Sequence, residues 1–240
     1  MREYVKHRQS YIFELIRLEA PPQDRRCTLC NKPGGAYRCR DCYHPSFYCT
    51  SCCLSTHAEE PYHCIQRFNG EYFERYDLDK LGVLIDIRPH SGECVYNKAG
   101  VSRLHGTYND NWDSDDDETF GQESDVFQSI PNVNTPHQSI GTRRMVIVSS
   151  TGICNRSVRF CTCTNASDKH IQLLRFRLYP ATSHTPTTAF TFEVLDHFRL
   201  DALECNTAAL GFMSKLARMT NEVFPSTVPV DIYHHSIYLL

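Results

Sequence analysis

The 240-residue chain has little of what marks a membrane or secreted protein. No apolar run approaches the length of a bilayer span. The opening stretch MREYVKHRQSYIFELIRLEA is charged and lacks the hydrophobic region of a signal peptide. These absences predict a nuclear or cytoplasmic protein, not secreted, with no membrane partner, whose thiols stay reduced. Catalytic motifs are missing too. No G-x-S-x-G, P-loop or H-E-x-x-H occurs, so the sequence gives no local support to the chemistries those motifs serve. The densest acids, Asp113 to Glu118, lie in a polar stretch that cannot hold carboxylates in the fixed array needed to gather two divalent metals. The expectation is a non-enzyme with no small-molecule substrate.

What the chain has is cysteine, thirteen in all, too many for an ordinary reduced protein unless they hold metal. The ordered pattern is Cys27-x2-Cys30-x8-Cys39-x2-Cys42-x6-Cys49-x2-Cys52-x4-His57-x5-His63. A two-residue gap lets both thiolates of a turn face one ion, and zinc takes four such ligands in a tetrahedron. Eight ligands make two closed sites, so zinc is the expected cofactor. Alternating pairs commonly share an ion. That cross-brace would put Cys27, Cys30, Cys49 and Cys52 around one ion and Cys39, Cys42, His57 and His63 around the other. Sequential pairing is the alternative. Cys53 adjoins a ligand and could replace Cys52 in a shifted register. Residues 25–65 hold too few apolar side chains for a core, so metal would supply their folding free energy.

A second group is His90, Cys94, Cys161 and Cys163. Neither half makes a site alone, but together they supply four ligands for a third ion, with His170 as a substitute. They could equally be unrelated residues, with Cys161 and Cys163 on one strand face. Cys154 and Cys205 read as core thiols.

The formal charge of −3 hides an uneven distribution. Residues 109–125 carry eight acids and no Lys or Arg, leaving the remainder at about +5. Periodicity predicts an N-terminal helix over 1–24, centred on 4–20, and the cysteine cluster over 25–96 with a strand through Val83–Ile87. The span 97–142 is too polar to order itself. Over 143–222 come strands at 145–150, 156–163 and 171–179. Helices follow within 186–205 (Leu195, Phe198, Ala202 and Leu203 on one stripe) and over 209–220. A tail, 223–240, has no clear period. The fold class is α+β: N-terminal helix, two-zinc head, small β-sheet, C-terminal helices.

Six stretches, in order, carry a resemblance: YRCRDCYHPSFYCTSCCLSTH, PYHCIQRFNGEYFE, LDKLGVLIDIRPHSGEC, VRFCTC, QLLRFRLYPAT and PTTAFTFEVLDHF. They resemble the CxC-type cysteine-cluster domain of KDZ (Kyakuja–Dileera–Zisupton) transposases, large fungal proteins with an RNase H-like catalytic core downstream. The likeness spans about residues 10–96 and 143–222. It implies metal ligation by His90, Cys94, Cys161 and Cys163. The first half of the cluster also resembles a B-box, a cross-braced two-zinc module used for protein contacts. The acidic span 97–142 and the tail depart from the pattern, and the chain stops before any catalytic core.

The resemblance implies a non-catalytic accessory domain of a transposase, with transposon DNA as the expected partner. Arg38, Arg40, Arg143, Arg144, Arg156, Arg159, Arg175 and Arg177 are the candidate phosphate contacts, with Arg25, Arg26, Lys32 and Lys169 nearby. The competing expectation is a protein-interaction module that docks the transposase catalytic domain or another protein through aromatics such as Tyr43, Phe47 and Tyr48. A fragment of an active transposase is the remote third.

Overall fold

The computed structural model describes residues 2–88, 141–164 and 166–228. Helix α1 (Arg2–Glu19) leads into a cysteine-rich head. The head sheet has four antiparallel strands in the order β2-β1-β3-β4: β1 (Tyr37–Cys39), β2 (Phe47–Tyr48), β3 (Ile65–Phe68) and β4 (Phe73–Tyr76). Helices α2 (Thr50–Thr56) and α3 (Leu78–Leu81) complete it. Asp77 caps α3 by accepting from the Asp79 N–H, and Gly82 ends it in the left-handed conformation. The head core is small: Tyr37, Cys39, Tyr48, Cys53, Ile65, Leu78 and Val83. Strands of two to four residues on such a core need another source of stability.

The second sheet is larger and mixed, in the order β5-β7-β6-β9-β8. Its strands are β5 (Leu84–Asp86), β6 (Thr142–Ser149), β7 (Gly152–Arg159), β8 (Leu178–Pro180) and β9 (Thr188–Thr191). β6 and β7 form an antiparallel hairpin, while β5 runs parallel to β7 and β9 parallel to β6. Helices α5 (Phe192–Cys205) and α6 (Ala209–Thr220) bury Val194, Phe198, Phe212, Met213 and Leu216 against Val148, Ile153 and Phe190. A separate cluster joins Leu173 of α4 (Lys169–Arg175) to Met145, Ile147, Val158 and Phe160. Ile147 and Val148 thus go to different clusters, as the period of a strand requires. Burial on both faces explains why this strand reads as an unbroken apolar run.

Gly152 sits at φ +131 where the hairpin meets α6. A Cβ there would lie 2.6 Å from the Thr220 hydroxyl, so the position needs glycine on two counts. The same hydroxyl accepts from the Ile153 N–H at 2.7 Å, which locks the helix end onto the strand. No described helix is long and apolar enough to cross a membrane.

Three local expectations change. Residues 171–179 are not one strand. They form the end of α4 and then β8, with Arg177 at φ +57 between them. The alternating Leu174, Phe176 and Leu178 misled, since Phe176 is exposed while Leu173 and Leu178 are fully buried. Leu203 is exposed, and the inward face of α5 is Val194 and Phe198, with Leu195 and Ala202 beside it. Cys205 is exposed at the end of α5, unlike Cys154, which is buried. Most of the acidic span 97–142 and the end of the tail lie outside the described residues.

Candidate metal centres

The head places its eight ligands in two groups of four. Cys27 and Cys30 lie on the first turn, and Cys49 and Cys52 meet them from the start of α2. Cys39 at the end of β1 and Cys42 in the following turn meet His57, just past α2, and His63 before β3. In each group all ligand atoms lie within 4.8 Å of one another. The groups interleave in sequence, so the arrangement is crossed rather than sequential.

The spacings suit a tetrahedral ion. Zinc–sulfur bonds of about 2.3 Å and zinc–nitrogen bonds of about 2.0–2.1 Å set S···S edges of roughly 3.8 Å and S···N edges of roughly 3.5–3.6 Å. The Cys30 and Cys49 sulfurs are 3.8 Å apart. Cys42 Sγ lies 3.5 Å from His57 Nε2, and His63 Nδ1 lies 3.6 Å from both Cys39 Sγ and Cys42 Sγ. The donors are soft or borderline, which suits zinc in both sites.

Both imidazoles are oriented from behind. His57 is fully buried, and its Nδ1 donates to the Cys53 carbonyl at 2.8 Å, leaving Nε2 toward the sulfurs. Burial, the largest influence, lowers the His57 pKa and favours the neutral ring that ligates metal. His63 presents Nδ1 to the sulfurs while Nε2 faces Glu60 at 3.6 Å. Burial alone would raise the Cys27 thiol, but the backbone groups of Cys30, Cys49 and Leu29 bring it down to about 6. Cys53 is different. It is fully buried in the head core, and burial pushes its thiol up to about 12. Cys52, not Cys53, joins the four-sulfur group.

The loop carrying His63 is held by the other sheet. Arg156, only 2% exposed, donates to the carbonyls of Pro61, His63 and Asn155 and pairs with Asp77. Thr151 Oγ1 donates to the Tyr62 carbonyl at 2.7 Å, and Cys64 Sγ donates back to the Thr151 carbonyl at 3.4 Å. The second group is therefore braced by residues almost a hundred positions away. The first has no such brace among the interactions described.

This corrects one expectation: Arg156 is a buried strut and cannot reach a phosphate. Arg159 and Arg38 are also committed. Arg159 pairs with Asp86, while Arg38 bonds Gln66, the Leu18 carbonyl and Glu19 and lies 3.9 Å over Phe73. Arg144 pairs with Asp79 at 3.3 Å yet keeps an exposed side chain. Arg40, Arg175 and Arg177 are exposed, and Arg143 is half-buried. Among the aromatic anchors, Phe47 and Tyr48 are buried, whereas Tyr43 is 93% exposed.

Cys161 and Cys163 follow β7, their sulfurs 2.7 Å apart. Gln172, buried on α4, holds the Cys161 backbone in place. Its amide accepts from the Cys161 N–H and donates to the Cys161 and Ser167 carbonyls. His90 and Cys94 lie outside the described residues. His170 lines the same hollow as Cys161.

Residues 130–223 match the family model described as a CxC2-like cysteine cluster associated with KDZ transposases. The matched span holds Cys161 and Cys163, while the two four-ligand groups lie upstream of it. No curated protein and no solved structure matches the chain.

Proposed function

We propose that the chain is a non-catalytic, zinc-binding accessory domain of a KDZ transposase, nuclear and bound to transposon DNA, a reading supported by the match of residues 130–223 to the cysteine cluster associated with those transposases. The observation that carries the zinc reading is the pair of four-ligand groups at tetrahedral spacing. Zinc in these closed sites is structural: it orders the head and leaves no open position for a reactive water. Cys161 and Cys163 are the described half of the third ligand set expected with His90 and Cys94, and that set would add a third ion to the two. The family match supports the transposase setting. Support for DNA binding comes from Arg40, Arg144, Arg175 and Arg177, which keep exposed side chains.

Native mass spectrometry is expected to count two or three zinc ions per chain, and a folded protein with none overturns the proposal. Fluorescence anisotropy with duplex DNA is expected to show binding that weakens steeply between low and near-physiological salt. No binding at low salt favours the second reading, a protein-interaction module. The exposure of Tyr43 beside the second group is the observation behind that reading.

A further inference from the structure

Helix α1 presents an apolar face that the described chain does not cover. Its hydrogen bonds to other described elements come from Arg38 alone, which reaches the Leu18 carbonyl and the Glu19 carboxylate at its last turn. At 100° per residue, Leu18, Tyr11, Tyr4, Leu15, Ile12, Val5 and Ile16 fall within an arc of about 160°. Lys6, Ser10, Glu14 and Arg17 occupy the opposite side, together with the exposed Phe13. Tyr4, Val5, Leu15 and Ile16 are each more than 60% exposed, and Tyr11, Ile12 and Leu18 are also open. Together they expose on the order of 700 Å², more than the largest patch on a typical monomer and close to one partner's share of a standard interface.

Two charges inside the apolar arc indicate the occupant. Arg8 and Glu19 lie on the same face, one in each half of the helix. Antiparallel packing against a second α1 can set Arg8 of each copy opposite Glu19 of the other. That register also brings Ile12 and Leu15 of both copies to the middle of the contact. It extends Tyr4 and Val5 over the exposed Pro22 and Gln23 beyond the partner helix. Antiparallel packing opposes the two macrodipoles as well. We propose that α1 is a homodimerisation helix: two copies of this chain pair through the Tyr4–Leu18 face in antiparallel register, with Arg8–Glu19 ion pairs at both ends.

The test is sedimentation equilibrium of the zinc-loaded full chain, with wild type expected to be a dimer at micromolar concentration. Leu15→Lys enters the interface twice and is expected to weaken dimerisation at least about a hundredfold, with zinc content unchanged. Arg8→Glu is expected to weaken the dimer, and adding Glu19→Gln, which keeps an acceptor for Arg38, is expected to relieve most of that penalty. A wild-type chain that stays monomeric up to about 100 μM overturns the proposal. A dimer indifferent to Leu15→Lys overturns it too, and an Arg8→Glu penalty unchanged in the Glu19→Gln background overturns the register.

Discussion

The cysteine-rich head and the larger sheet solve the same problem by different means. The sheet has two apolar clusters, built on large side chains such as Phe190, Phe198, Phe212, Met145 and Phe160. The head has one small cluster, and two of its members are cysteines. Its strands are two to four residues long, yet six of the eight candidate ligands fall on or between them, and Cys27 and Cys30 lie just before the first. The difference teaches that apolar burial can order the sheet, whereas the proposed metal sites would supply the head with cross-links between its turns. Apparent zinc-binding free energies of about 10–16 kcal/mol are ample for that.

The contrast can be broken from either side. The largest effect is expected from Cys42→Ser, which removes a thiolate facing both His57 and His63. One zinc ion fewer per chain in native mass spectrometry and loss of dispersed head resonances in NMR spectra are the expected results. Phe190→Ala attacks the sheet instead. It should cost about 3–5 kcal/mol in urea unfolding, as expected for a fully buried aromatic, while the zinc count holds. Arg156→Met addresses the junction. It removes the cation from Asp77 and the donor from the Pro61 and His63 carbonyls, at a cost of about 3 kcal/mol. Zinc should then leave the second site faster than the first, measured as biphasic release to a chromogenic chelator. Equal release rates would show that the brace does not reach the metal.

Much of this was legible in the sequence. The six head cysteines that fall into the two four-residue groups were readable from two-residue gaps, because knuckle geometry is local. Helices α1, α5 and α6 and strands β6 and β7 were readable from apolar period. The head strands were not, since strands this short, anchored at ligands, carry no pattern. Helix α4 was missed because Leu174, Phe176 and Leu178 imitate a strand. Arg156 was misread as a surface charge, although the signal was present: it shares strand parity with Cys154 and Val158, both buried. An arginine at an inward position is a strut more readily than a phosphate contact. Gln172 gave no such sign, as its role depends on a backbone eleven residues away.

The central claim is that metal, not apolar burial, holds the head together. Hydrogen exchange of the protein, followed by mass spectrometry before and after chelation, tests this most directly. The account predicts that amides between residues 27 and 81 lose protection on chelation while those of β6, β7, α5 and α6 keep most of theirs. Unchanged protection of the head in demonstrably metal-free protein would contradict it.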